Sequence, residues 1–163
     1  MLLQAHILMG TGALLLGPLA MLARKERGWH TRAGEVYHAL VLGVCVTAGA
    51  LAVLGWDRSA AFFPIAIGSY AFALAGYAAA KLRCSGWLRI HVVGQGGSYI
   101  AMTTALLVVN LGRGSFWAWV LPTLVGTPLI IWAVRRISRF SDAHCAAARG
   151  PGAPRRAIIR AGS

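Results

Sequence analysis

The chain has 163 residues, a formal net charge of +12 at pH 7, 58% hydrophobic residues and a mean hydropathy of +0.65. This composition excludes a soluble catalytic domain, because nearly the whole chain is committed to apolar segments. The positive charge flanks those segments, where membrane insertion and anionic lipid headgroups account for it. A nucleic-acid partner is therefore not indicated.

Five apolar stretches are each long enough to cross a bilayer, since an α-helix needs about 20 apolar residues to span a ~30 Å hydrocarbon core. Open strands would leave backbone groups unpaired in lipid, and a closed barrel would alternate polar and apolar positions. We therefore predict an all-α polytopic membrane protein, with five transmembrane helices in one bundle over residues 1–137. The predicted spans are Leu2–Ala23, Val36–Trp56, Ala60–Ala80, Leu88–Leu111 and Phe116–Val134.

The two ends of the chain differ in character. The first stretch is expected to be a true span and not a cleaved signal peptide, because residues 1–5 carry no basic side chain and the positive charge follows the apolar run. Residues 138–163 are rich in Arg, Ala, Gly and Pro. We predict that they form a basic, mostly disordered cytoplasmic tail.

The basic residues divide unequally between the two sides of the predicted bundle. Four lie within residues 24–35, three within residues 81–89 and seven within residues 135–163, whereas only Arg58 and Arg113 lie on the opposite side. The positive-inside rule then places the N-terminus outside and the C-terminus in the cytoplasm of a multi-pass inner (plasma) membrane protein. Its expected partners are membrane lipids, including anionic headgroups, and a partner protein in the membrane is compatible with this topology.

The histidines are not explained by packing, because an imidazole within a span needs a partner, a ligand or water. His38 and His91 open the second and fourth spans from the predicted cytoplasmic side, and His30 precedes them in the first connector. Two imidazoles at matching depth on different helices suit bis-histidine ligation of a b-type haem. His6 lies near the outer end of the first span, too far from this group to share a metal centre at ~1.5 Å rise per residue.

A divalent metal ion is the second cofactor that the spacing allows. Glu35 and His38 are three residues apart and share a helical face, and His30 and His91 would complete a nitrogen and oxygen ligand set. The alternative is that His30 and His38 are interfacial residues that bond headgroups, water or backbone carbonyls. A structural role is also the simpler explanation of His6.

Other chemistry is not indicated by the motifs. The glycine-rich residues 94–97 lie within a span and lack the strand–turn–helix context of a phosphate loop, and no Ser-His-acid set is visible. No acidic residue lies mid-span, where cation-coupled carriers place a carboxylate. The sequence thus favours a small haem- or metal-binding membrane protein with an electron-transfer or redox-accessory role and no indicated enzyme activity. The alternatives are a cofactor-free structural or accessory membrane protein and, third, a small permease.

Three groups of motifs follow one another along the first four spans. They are His6-x3-Gly10-x2-Ala13-Leu14-x2-Gly17-Pro18-x-Ala20, then Arg24-Lys25 with His30-x3-Gly34-x2-Tyr37, then Arg89-x-His91-x6-Ser98-Tyr99 with Thr104-Ala105 and Asn110. In combination they resemble the bacterial predicted-membrane-protein family catalogued as domain of unknown function 2306, over about residues 2–134. The family has no established activity.

The resemblance implies a ranking of the histidines. His6, His30 and His91 match motif positions of the family, whereas His38 does not, and Glu35 stands where the family has Arg in a Gly-Arg-Val-Tyr step. The pair of His30 and His91 is therefore better supported than a Glu35–His38 metal site or a His38–His91 haem. Two further motif positions on the fourth span, for which we expect interhelical hydrogen bonds, are Tyr99 and Asn110.

The division of basic residues generates a topology prediction. A membrane-impermeant thiol reagent is expected to label Cys84 and Cys145 only after intact cells are permeabilised, since both lie on the predicted cytoplasmic side. A Ser115→Cys variant places a thiol on the opposite side and should react without permeabilisation. Strong labelling of Cys84 in intact cells would invert the orientation.

Overall fold

The computed structural model describes residues 1–23, 28–83 and 86–147, with side chains as far as residue 138. Five of the helices in these ranges are long and apolar enough to cross a membrane, and the described residues contain no strand. The predicted all-α fold is thereby confirmed, and the helices are those of an integral membrane protein. The elements are α1 (Leu2–Leu22), α2 (Trp29–Leu54), a short α3 (Trp56–Ser59), α4 (Phe62–Leu82), α5 (Trp87–Leu111) and α6 (Phe116–Ala147).

Two helices extend beyond their predicted apolar spans by more than one helical turn. The second begins at Trp29 rather than Val36, so His30 and Glu35 lie in its first two turns and not in a connector. A helix can continue past its apolar stretch because each added residue closes one more backbone hydrogen bond once the helix is formed. The last helix likewise continues to Ala147, whereas we predicted the tail from residue 138. Residues 148–163 of that tail, and Cys84, lie outside the described residues.

Many of the buried residues in the interior of the bundle are small. α2 packs between α1 and α4, α5 packs between α4 and α6, and α1 also touches α5. Ala13, Ala73 and Ser98 are fully buried, whereas the large side chains of Leu22 and Trp132 are 85% and 61% exposed. Lipid tails solvate large apolar side chains as well as a protein core does, so helices associate in a membrane through close backbone approach, which small residues permit.

Tyr99 compensates for a proline within α1. Pro18 lacks the N–H that would bond the carbonyl of Leu14, and the Tyr99 hydroxyl on α5 donates to that carbonyl at 3.2 Å. The ring of Tyr99 reaches α1 because Gly17 has no side chain: a Cβ atom there would lie 2.8 Å from Tyr99 Cε2. Gly17, Pro18 and Tyr99 therefore act as one structural unit that joins α1 to α5.

This unit predicts a measurable coupling between Tyr99 and Pro18. Tyr99→Phe should lower the free energy of unfolding in detergent by about 1 kcal/mol, because the Leu14 carbonyl loses its hydrogen bond. In a Pro18→Ala background the alanine N–H supplies that bond, so the same substitution should be less destabilising. A double-mutant cycle of thermal or denaturant unfolding measures the difference. Equal losses of unfolding free energy in both backgrounds would show that the Tyr99 hydroxyl does not replace the hydrogen bond that Pro18 lacks.

Candidate functional site

A cavity of about 600 Å³ lies at one end of the bundle. We call this end the basic end; it carries the α1–α2 and α4–α5 connections and the basic residues Arg32, Lys81 and Arg83. The cavity is walled by the last turns of α1 and α4 and the first turns of α2 and α5. Its volume is within the range of small-molecule and cofactor sites, about 300–1,000 Å³. Its lining includes Met21, His30, Tyr37, Tyr77, His91 and Gln95.

His30 joins the start of α2 to the end of α1. Its Nδ1 lies 3.0 Å from the carbonyl oxygen of Ala20. Ala20 belongs to the last turn of α1, where carbonyls lack an intrahelical partner. A carbonyl only accepts, so Nδ1 carries the proton, and in the neutral imidazole Nε2 is the nitrogen with the lone pair.

His91 makes the equivalent bond between α5 and α4. Its Nδ1 lies 2.9 Å from the carbonyl oxygen of Gly76, and one turn later Gln95 Nε2 donates to the carbonyl of Ala73 at 3.1 Å. Both bonds require the helix axes to be close, which two glycines allow: a Cβ atom on Gly94 would lie 2.7 Å from Gly76 Cα. The glycines of α4 and α5 therefore set the position of the His91 ring.

The structure brings His30 and His91 together at the cavity. Their ring centres are 6.4 Å apart and the ring planes are inclined at 77°. Trp87 lies on the other side of His91, with ring centres also 6.4 Å apart. Among the four candidate histidines, these two are the ones that line the cavity.

His38 is placed differently from the prediction that paired it with Glu35 or His91. Its ring stacks on Tyr77, with centres 4.2 Å apart and planes inclined at 12°. The Glu35 carboxylate instead accepts a 2.6 Å hydrogen bond from Lys81. In the part of the chain that the structure describes, no three His, Cys, Asp or Glu side chains come together as metal ligands. The predicted four-residue ligand set for a divalent ion is therefore not assembled.

His6 belongs to the opposite end of the bundle. Its Nδ1 lies 2.9 Å from the hydroxyl of Thr47 on α2, and this hydroxyl donates to the carbonyl of Gly43 at 2.7 Å. The Thr47 oxygen thus accepts from the imidazole. His6 is a hydrogen-bonded link between α1 and α2, as the structural alternative expects.

Among the described residues, three cations and one carboxylate line the cavity. Lys81 is paired with Glu35, and the Arg83 guanidinium lies 4.7 Å from the ring centre of Trp87. With Arg32 these groups leave an excess of positive charge at the mouth. The sequence identified the charges but did not show that they surround one cavity.

Gln95 and Tyr77 were missed as site residues by sequence reasoning. Gln95 follows His91 by four residues and so shares its helical face, a signal that was sufficient to include it. Tyr77 carries no such signal, because it reaches the site from α4 and only the packing of α4 against α2 brings it there.

Comparisons with protein-family models, with curated proteins and with solved structures find no match to this chain. The resemblance to domain of unknown function 2306 therefore stays a prediction.

The contact between α4 and α5 predicts a strong effect of a single methyl group. Gly94→Ala should destabilise the protein by roughly 1–3 kcal/mol. The added Cβ would lie 2.6 Å from the carbonyl oxygen of Phe72, which is a backbone atom and cannot change rotamer to relieve the clash. Gly68→Ala is the matched control, since a Cβ there meets nothing within 4 Å. Thermal unfolding in detergent compares the two. A Gly94→Ala protein as stable as Gly68→Ala would contradict the close approach.

Proposed function

We propose that this integral membrane protein binds a b-type haem in the basic-end cavity through His30 and His91, in an electron-transfer or redox-accessory role. The observation that carries the proposal is the separation of 6.4 Å between the two ring centres. Since a metal–imidazole bond is about 2.0–2.1 Å long, two imidazoles on opposite sides of one ion have centres roughly 6 Å apart.

The hydrogen bonds of the two rings support a ligand role. A metal-binding histidine commonly donates its second ring N–H to a carbonyl or carboxylate, which orients the ring. His30 donates to Ala20 and His91 to Gly76 in this manner. Both bonds favour the tautomer in which Nε2 carries the lone pair that a metal binds.

A haem suits the donor set better than a free divalent ion. Structural zinc sites take four protein ligands and catalytic ones take three, and the described residues contain no such group. The tetrapyrrole of a haem supplies four nitrogens, so two protein imidazoles complete the iron. The excess positive charge of Arg32 and Arg83 at the cavity mouth is complementary to the two carboxylates of a haem.

The placement in the cell is part of the proposal. The basic end would face the cytoplasm of the inner membrane by the positive-inside rule. The family resemblance adds support, because His30 and His91 are both motif positions. Facing the cytoplasm, the cavity would exchange electrons with a partner on that side of the membrane.

A cofactor-free accessory protein is the second candidate, and one observation favours it. The bonds from His30 to Ala20 and from His91 to Gly76 each tie two helices together. These bonds alone give both imidazoles a structural use. The two candidate functions differ in whether the purified protein shows the absorption bands of a haem.

Absorption spectra of the detergent-purified protein test the proposal. We expect a Soret band and a sharp α-band after reduction, and we expect His91→Ala and His30→Ala to lose both bands because each removes an axial ligand. His144→Ala, near the end of the chain, and His38→Ala, whose ring stacks on Tyr77, should retain the spectrum. Size-exclusion profiles of all variants show whether a lost band follows from unfolding.

Two outcomes would reject the haem. If a folded His91→Ala protein keeps the full haem spectrum, His91 is not a haem ligand and the proposed pair is wrong. A wild-type protein without haem bands or stoichiometric metal, when produced in cells supplied with haem precursors, would favour the accessory role.

A further inference from the structure

Two arginines that line the cavity carry charges that no described carboxylate neutralises. Arg32 lies in the first turn of α2, and Arg83 ends α4. The carboxylate in the lining, that of Glu35, forms a 2.6 Å ion pair with Lys81. Asp57, the other carboxylate among the described side chains, lies in α3 at the opposite end of the bundle. Two positive charges therefore remain beside the cavity.

The backbone of Arg83 is held in the left-handed conformation. Its φ and ψ are 53° and 33°, and the other described residues with positive φ are Gly28, Gly86 and Gly112. A side chain in this conformation brings Cβ close to the following carbonyl oxygen, so glycine and asparagine are the usual residues at such a helix end. An arginine held there against its backbone preference indicates a use for its side chain.

The guanidinium of Arg83 is positioned but lacks an acceptor. It lies 4.7 Å from the ring centre of Trp87, a contact that restricts the side chain and accepts no ordinary hydrogen bond. A guanidinium presents its N–H groups as a planar fork that matches two oxygens of a phosphate or carboxylate. The free donors of Arg83 therefore suit an oxyanion.

The cavity also has an apolar wall that reaches the surface of the bundle. Ala20, Met21 and Ala80 line it, and Met21 is 49% exposed on α1. Trp29 is exposed at the start of α2, and with Trp87 it marks the level of the lipid headgroups, where amphipathic rings lie. Basic pockets between transmembrane helices at this level bind phospholipid headgroups.

We propose that Arg32 and Arg83 bind the phosphate of an anionic phospholipid, with part of an acyl chain against the apolar wall. Free inorganic phosphate shares the chemistry of the headgroup, but it would leave the apolar wall uncovered. A phospholipid accounts for both the unpaired cations and the wall.

This inference does not rest on the proposed haem. A haem would present its carboxylates to the same two arginines and would be an alternative occupant of the cavity, held by His30 and His91. The absorption spectrum tests the haem and the mass of retained lipid tests the phospholipid, so the two proposals fail separately.

Native mass spectrometry of the purified full-length chain in detergent measures the binding, because each bound lipid adds its own mass. Haem-free and haem-bound chains also separate by mass. The chain is titrated with phosphatidylglycerol and with phosphatidylcholine of the same acyl chains, which carries no net charge. Thermal unfolding in phosphate and in chloride at equal ionic strength tests the free anion.

Three variants remove a charge from the proposed site. Arg32→Gln and Arg83→Gln keep most of the side-chain length, and Arg83→Gly also relieves the left-handed backbone. Arg113→Gln is the matched control, because the Arg113 guanidinium likewise lies near an aromatic ring, 5.3 Å from the centre of Phe62, but at the opposite end of the bundle.

We expect the first phosphatidylglycerol to bind wild type more tightly than phosphatidylcholine. Its affinity should fall about fivefold to tenfold in each of the three variants and stay unchanged in Arg113→Gln. Arg83→Gly should unfold at the temperature of wild type or above it, so that its weaker binding is not a result of misfolding. Stabilisation by inorganic phosphate that the three variants lose, without a preference for phosphatidylglycerol, would keep the anion site and identify free phosphate as its source.

Two results overturn the proposal. If phosphatidylglycerol binds no more tightly than phosphatidylcholine and phosphate does not stabilise wild type, the arginines do not form an anion site. If phosphatidylglycerol binds wild type and all three variants equally, the lipid lies elsewhere on the bundle. The left-handed Arg83 would then be explained by its contact with Trp87 alone.

Discussion

At Gly94 the backbone of α5 lies so close to α4 that a Cβ atom would be 2.7 Å from the Cα of Gly76. This approach allows His91 to reach the Gly76 carbonyl and Gln95 to reach the Ala73 carbonyl. It therefore orients the one imidazole that α5 contributes and the amide of Gln95, which also lines the cavity. A side chain at either glycine would separate the helices and remove both bonds, so the geometry of the cavity depends on this contact.

Hydrogen bonding in an apolar medium explains most of the remaining polar residues. Pro18 leaves the Leu14 carbonyl without its helical partner, and Tyr99 supplies one from another helix. His30 and His6 each form a hydrogen bond between α1 and α2, at opposite ends of α1. Lipid offers no hydrogen bonds, so each exposed backbone or imidazole group requires a partner from within the bundle. His38 Nδ1 is an exception, because it has no hydrogen-bond partner among the described residues and its ring instead stacks on Tyr77.

The positions of the inner histidines were predicted only in part from the sequence. Depth along the spans grouped His30, His38 and His91 at one end, and the structure places His30 and His91 side by side there. Depth did not separate His30 from His38. The tertiary structure did, because α2 begins at Trp29 and both residues become helical, eight positions and about 12 Å apart along one axis. His38 then faces Tyr77 on α4, and the carboxylate predicted to join it pairs with Lys81.

The sequence by itself determined the class of protein, the number of spans and, to within a few residues, most of their ends, because apolar length and the need to pair every backbone group admit one solution in a bilayer. Only the tertiary structure decided which small residues meet, as Gly76 and Gly94 do, and which polar groups share a cavity. Those facts depend on the rotation of each helix about its axis and on its choice of neighbours. The hydropathy pattern leaves both undetermined, since lipid accepts any apolar face.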